Sequence, residues 1–234
     1  TWMIGSALQP IKPSVGSKGV LVLDLSREYK EQAQQNSVSG LLGDASNDVP
    51  GLYDVVRMIA YAKTDSTVKG IYIKCGNNNN GFAANEELHE ALEDFKKSKK
   101  FIIAYGEAID QKSYYVATAA DKIYCHPQGG LDWSGFSATL SFMKGLLDKL
   151  EIQPQIFYAG KYKSATEPLR VTKMSDPNRV QTSELLGDLY QQLLSAASKA
   201  RNIDTATLRR LSLNGSIQTA NDAWKYGLVD GLKY

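Results

Sequence analysis

The feature that most constrains this chain is a rhythm of short, continuous apolar runs separated by helix-spaced stripes. "GVLVLDL" (residues 19–25), "GIYIKC" (70–75), "FIIAYG" (101–106) and "KIYC" (122–125) are each four to seven residues long and do not alternate with polar residues. Runs of that kind fit strands covered on both faces. Between them, Leu52, Val55, Val56 and Ile59 follow Pro50, and Leu88, Ala91, Leu92 and Phe95 repeat at i, i+3, i+4, i+7. Each set marks an amphipathic helix. Strands alternating with helices in this way predict an α/β fold with a largely parallel sheet and right-handed βαβ crossovers.

The pattern continues with a short helix over 113–120, a helix over 142–150 and a strand "QIFYA" over 155–159. A long helix follows, with Leu185, Leu186, Leu189, Leu193, Leu194 and Ala197 on one face. The last helix runs over 219–226, capped by Thr219 and stopped by Gly227. Residues 27–49 are polar and read as a long loop, and the four asparagines Asn77–Asn80 sit in another. Residues 1–18 are rich in Pro, Gly and Ser and lack the apolar core of a signal peptide, so they are expected to be a tether whose upstream part lies outside this sequence. The expected organisation is that lead-in followed by one domain over 19–234.

Composition matters here for what it removes. With 43% hydrophobic and 22% charged residues the chain is an ordinary globule, and no run of 18 apolar residues offers a membrane span. Net charge is +2, and the one dense basic block, "KKSKK" (96–100), closes a predicted helix where cations suit the dipole. A nucleic-acid partner is not expected. Cys75 and Cys125 each end a strand, with another strand expected between them, so they are read as two thiols rather than a bridge. Of the two histidines, His89 is expected on a solvated helix face, and His126 before Pro127 at a strand end. No GxSxG elbow, HExxH, Walker A or GxGxxG occurs, which argues against triad, zinc, phosphoryl and hydride chemistry. Neither metal nor cofactor is expected.

A lysine base remains. "GKYKSATEPL" (160–169) places Lys163 beside Tyr162 and Ser164, just after an apolar run. With an ordinary pKa near 10.4, only about one lysine in 2,500 is neutral at pH 7; bringing it to about 7 takes roughly 4–5 kcal/mol of differential destabilisation of the ammonium. Phe157, Tyr158, Ala159 and Tyr162 are the apolar neighbours that such a pocket would use.

The stretch "GKYKSATEPLRVTKMSDPNR" resembles the lysine motif of the signal peptide peptidase A (protease IV) family. "GLYDVVRMIAYAKTDSTVKGIYI", "SYYVATAADKIYCHPQG" and "ANDAWKYGLVDGL" match the same family in order and spacing, from about Gly19 to Leu232. The resemblance implies a ClpP/crotonase-like fold, a serine–lysine dyad with Lys163 as general base, and released signal peptides or other apolar peptides as substrates. It also implies a homo-oligomer in the bacterial cell envelope, anchored upstream to the cytoplasmic membrane and facing the periplasm.

The departures from that family pattern are specific. In the nucleophile's stretch this chain reads "DQKSYYVAT": Tyr114 matches, Gln111 stands in the serine's place, and Lys112 and Ser113 replace glycines. Asn77–Asn80 and Gly81 stand where an oxyanion Gly-Gly pair is usual. The resemblance is therefore to the first half of a double-length member, which lends the lysine while the C-terminal half lends the serine; this chain alone is expected to be inactive. Trp133 and Phe136 are candidates to line an apolar substrate groove, with plain packing as the alternative. Ser164 is expected either to orient Lys163 or to cap a helix, and Glu167 to turn away from it. The competing readings are a non-catalytic assembly or substrate-channel module, a crotonase-type acyl-CoA enzyme, and a single-length peptidase using Ser113.

Overall fold

The computed structural model describes residues 18–32 and 49–234, so the expected tether (1–18) lies almost wholly outside the described residues, as does the middle of the loop over 27–49. A five-stranded sheet is built from β1 (Gly19–Asp24), β2 (Val68–Lys74), β3 (Phe101–Ile109), β4 (Lys122–Leu131) and β5 (Gly231–Leu232), in that spatial order. Every neighbouring pair is parallel, with Leu23 opposite Ile73, Ile71 opposite Ile102, and Ala104 opposite Ile123. The apolar runs are buried on one face only, against the expectation of cover on both: Ile71, Ile73, Ile102, Ala104 and Ile123 are almost fully removed from solvent, whereas on the other face Val20 and Val22 are exposed and Tyr72, Ile103, Tyr105 and Tyr124 are half-buried. Each large aliphatic side chain so buried contributes about 1.5–3 kcal/mol. At Gly70 the strands approach so closely that a Cβ would lie 2.5 Å from the Phe101 carbonyl oxygen, and only glycine fits.

Parallel neighbours require crossovers, supplied here by α1 (Leu52–Thr64), α2 (Phe82–Lys96) and α3 (Gln111–Ala117). The buried stripe of α1 is Leu52, Val55, Ile59 and Ala62; that of α2 is Leu88, Leu92 and Phe95, extended by an asparagine, Asn85. The α3 helix is capped by Asp110 and buries Tyr114, whose hydroxyl donates to the Leu228 carbonyl at 2.7 Å. That bond ties the segment after α8 (Ala220–Lys225) to the sheet unit. The α8 helix starts in a Thr219–Asp222 capping box and is followed by Gly227 at φ +77°, the start and stop the sequence indicates.

The described residues divide into two compact units: those up to residue 131 together with 219–234, which hold the sheet, and residues 132–218. The second unit contains α4 (Lys144–Lys149), α5 (Glu167–Arg170), α6 (Asp176–Arg201) and α7 (Thr205–Leu213). Its interior is formed around Leu193, Leu194 and Ala197 of α6 and Leu208 and Leu211 of α7. The expected apolar face of α6 is buried only in its C-terminal half; Leu185 is 59% exposed.

One predicted element is absent. Residues 155–159 form no strand, and Phe157 is 93% exposed. The run has strand-like composition but no neighbour to pair with among the described residues of its unit. His89 also departs from expectation: it is half-buried, stacked on Tyr115 at 4.9 Å and hydrogen-bonded to Thr118 Oγ1 at 3.1 Å.

Candidate active site

Two places carry the residues singled out in the sequence, one in each unit. In the sheet unit, the loops after β2 and β3 meet at Asp110. Its carboxylate accepts the Ser113 N–H at 2.6 Å, capping α3, and the Asn78 N–H at 2.6 Å. The asparagine run is two buried residues alternating with two exposed ones. Asn78 and Asn80 are buried, Asn77 and Asn79 face solvent. Asn80 Oδ1 accepts the Tyr29 N–H at 2.7 Å, and its Nδ2 donates to the Arg27 carbonyl and to Asn78 Oδ1, both at 2.9 Å. Asn78 Nδ2 donates to Asn85 Oδ1 at 2.8 Å, and Asn78 Oδ1 also accepts the Asn80 N–H at 2.9 Å. Lys112 Nζ closes the network on the Asn80 carbonyl at 2.9 Å.

This arrangement is a cross-brace. The Asn78 and Asn80 N–H groups, in the loop where an oxyanion hole would be sought, are both committed internally. Gln111 is buried, and Ser113 is fully buried with its hydroxyl donating to the Gly76 carbonyl at 3.0 Å. A serine so held presents no Oγ to a peptide, which counts against Ser113 as nucleophile. The two cysteines are free and buried, and burial pushes both thiols up from their ordinary pKa, so they are poor nucleophiles too. Cys75 follows β2 and Cys125 lies on β4, with β3 between them. Among the described residues no cluster of His, Cys, Asp and Glu could hold a metal ion.

In the second unit, Lys163 lies on an exposed turn. Gly160 at φ +96° reverses the chain, the Lys163 N–H donates to the Gly160 carbonyl at 3.4 Å, and the Glu167 N–H donates to the Ser164 carbonyl at 2.9 Å. Phe157, Tyr158, Tyr162, Ser164 and Gln181 frame an open depression of about 490 Å³ beside Lys163. The expected buried strand before the lysine is replaced by this exposed aromatic rim. Ser164 caps no helix; the N-cap of α5 is Thr166.

Glu167 is 2% exposed and directed at the start of α6. It accepts from the Ser175 hydroxyl, from the Ser175 N–H at 3.2 Å and from Asn178 Nδ2 at 2.8 Å. The Ser175 hydroxyl bond, with the Asn178 and Ser175 donors and Arg170 nearby, holds its carboxyl below the ordinary range. Trp133 is 3% exposed, with its indole N–H donating to the Leu208 carbonyl at 3.0 Å, a packing position that offers no surface to a peptide. Phe136 is half-buried, edge-on to Tyr190 at 6.2 Å.

Residues 94–234, more than half of the chain, match Peptidase family S49. The chain belongs to peptidase family S49. It is 33% identical over 227 residues to Protease 4 of Salmonella typhi, covering 91% of this chain and 36% of that protein. Protease 4 of Haemophilus influenzae is 31% identical over 193 residues, covering 80% of this chain and 31% of the relative. The chloroplastic serine protease SPPA of Arabidopsis thaliana is 27% identical over 215 residues, 92% of this chain and 30% of that protein. This S49 chain thus spans about a third of the length of these relatives. The α/β, ClpP/crotonase-like fold expected from the sequence agrees with the family and with the all-parallel sheet.

The motif that singles out Lys163 gives no sign of the polar networks at either place. Asp110, Asn85 and Asn178 are polar residues whose roles depend on partners in other loops and helices. Only the S-x-x-N spacing of Ser175 and Asn178, ahead of a helical stretch, was a visible signal.

Proposed function

We propose that this chain is the lysine-bearing half of a serine–lysine peptidase that degrades released signal peptides and other apolar peptides. Lys163, as the neutral amine, takes the proton of a serine from the C-terminal half as that serine attacks the scissile carbonyl. The ammonium then protonates the leaving amine. Backbone donors of the C-terminal half hold the oxyanion. The observation that carries this reading is the contrast within one chain. The motif lysine lies on an exposed, aromatic-rimmed turn, whereas the residue aligned with the family's serine is Gln111, Ser113 is buried, and the Asn78 and Asn80 N–H groups of the nearby loop are committed internally.

Exposed apolar side chains in the lysine-bearing unit, Leu146, Leu150, Ile152 and Phe157, are what a covering half or a second copy would bury. The length of the S49 relatives leaves room for such a half. Substrates of this kind need apolar contacts, which the exposed rings of Phe157 and Tyr162 beside Lys163 supply. Among the described residues no helix is long and apolar enough to cross a membrane. In this reading the anchor lies upstream, and the protein faces the periplasm from the bacterial cytoplasmic membrane as a homo-oligomer. Two of the relatives, each named Protease 4, are bacterial, which fits a bacterial setting.

The same exposed apolar face favours a second reading, a non-catalytic assembly or substrate-channel module of the same protein. Cleavage of an apolar fluorogenic peptide by this chain alone and by the complete protein tests the division of labour. The expected result is turnover by the complete protein only. Turnover by this chain alone, lost in Ser113→Ala, would establish a single-length peptidase instead.

A further inference from the structure

Residues 155–166, which carry Lys163, form no helix or strand, and most of them are exposed. A base must be held to about half an ångström, and a displacement of about 1 Å can cost 100-fold in rate. The geometry points to a clamp made by Tyr158, Arg170 and Glu167 that positions Lys163, an inference that rests on its reading as the base.

The clamp spans the lysine turn from both sides. The Arg170 guanidinium lies over the Tyr158 ring, 4.0 Å from its centroid, joining residues five before and seven after Lys163. Arg170 Nε donates to Thr166 Oγ1 at 3.3 Å, and a terminal nitrogen lies 3.6 Å from Glu167 Oε1. Glu167 then carries the load to α6 through Ser175 and Asn178. Ser175 is the N-cap of that helix, and a carboxylate there also meets the positive end of its dipole. The far half of the 26-residue helix is fixed in the unit's interior by Leu193, Leu194 and Ala197, so the anchor is rigid. A second tie holds the same turn: the Met143 N–H donates to the Pro168 carbonyl at 2.7 Å.

The chemistry selects these residue types. A guanidinium can stack on an aromatic face and present N–H groups to a carboxylate at once, which an ammonium does poorly. Glu167 faces three donors plus Arg170, a set that suits an ionised carboxylate and not an amide. Glu167, Arg170 and Tyr158 are thus positioning residues, acting on the reaction through Lys163.

The test compares Glu167→Gln, Tyr158→Leu and Tyr158→Phe in the complete protein, with kcat referred to sites titrated by an acylating burst and Lys163→Ala as reference. Expected are a tenfold or greater loss of kcat in Glu167→Gln and Tyr158→Leu and a KM within twofold of wild type. Tyr158→Phe, which keeps the ring face, should retain at least a third of kcat. Should Glu167→Gln fail to fold, the half-exposed Tyr158→Leu decides alone. Wild-type kcat in Tyr158→Leu beside an inactive Lys163→Ala would overturn the clamp and leave the base in place. A loss confined to KM, or equal in Phe and Leu, would make Tyr158 a substrate contact and sink the clamp as well. Full activity of Lys163→Ala would remove the base and, with it, the clamp.

Discussion

Truncating Asn80 to alanine is the sharpest probe of the cross-brace beneath the sheet's loops. Asn80 is 2% exposed, and its side chain satisfies the Tyr29 N–H, the Arg27 carbonyl and Asn78 Oδ1. Alanine strands that N–H donor and removes a donor from both acceptors, with no water-sized side chain to replace them. A stranded buried group costs about 1–3 kcal/mol, and the net value of each of the two further bonds is about 1 kcal/mol, giving about 3–5 kcal/mol in all. For a chain of this size each 1 kcal/mol moves Tm by about 2–4 °C, so a fall of about 6–20 °C is expected. The internal controls are the neighbours: Asn77→Ala and Asn79→Ala, at exposed positions of the same run, should stay within about 0.5 kcal/mol. Urea denaturation followed by circular dichroism reads all three. A cost under about 1 kcal/mol at Asn80, or an equal cost at Asn79, would refute the brace.

Two further predictions use the ionisable groups. Because the Glu167 carboxyl is held below its ordinary value of 4.5, its stabilising contribution is complete above about pH 4.5 and drains away as pH falls through the lower folded value. Wild type should therefore lose urea resistance on acidification below pH 4.5 more steeply than Glu167→Gln; parallel curves would contradict the carboxylate's role. Cys75 and Cys125 are buried with thiols raised by desolvation, so a disulfide reagent should label them at pH 8 only as fast as the chain unfolds. Labelling at the rate of a free thiol would show that the β2–β4 region opens in the native state.

How much of this was legible in the sequence differs between the units. The sheet unit is legible in outline, because its strands carry short apolar runs and its helices keep a stripe on one side; that only one face of the sheet is buried, and that β4 runs on to Leu131, is not. Thr219 and Gly227 marked the last helix through capping chemistry alone. The second unit was read less well. "QIFYA" has the composition of a strand, yet pairing needs a neighbour, and composition cannot supply one. The α7 helix was passed over although Asp204, its cap, stands before Thr205 and Leu208 and Leu211 carry its buried side. The asparagine run reads only as a loop, because composition cannot distinguish two buried bracing residues from two solvated ones. The motif around Lys163, on which its proposed role rests, was legible. Its surroundings were not, since the Glu167 partners lie eight and eleven residues onward and across a loop.

The most direct test of the central claim is peptide cleavage by the complete protein, wild type against Lys163→Ala, with assembly checked by sedimentation. The account predicts a loss of kcat of at least about 1,000-fold with the oligomer unchanged, since the serine would have no base. Turnover near that of wild type would contradict it and leave this chain as a scaffold.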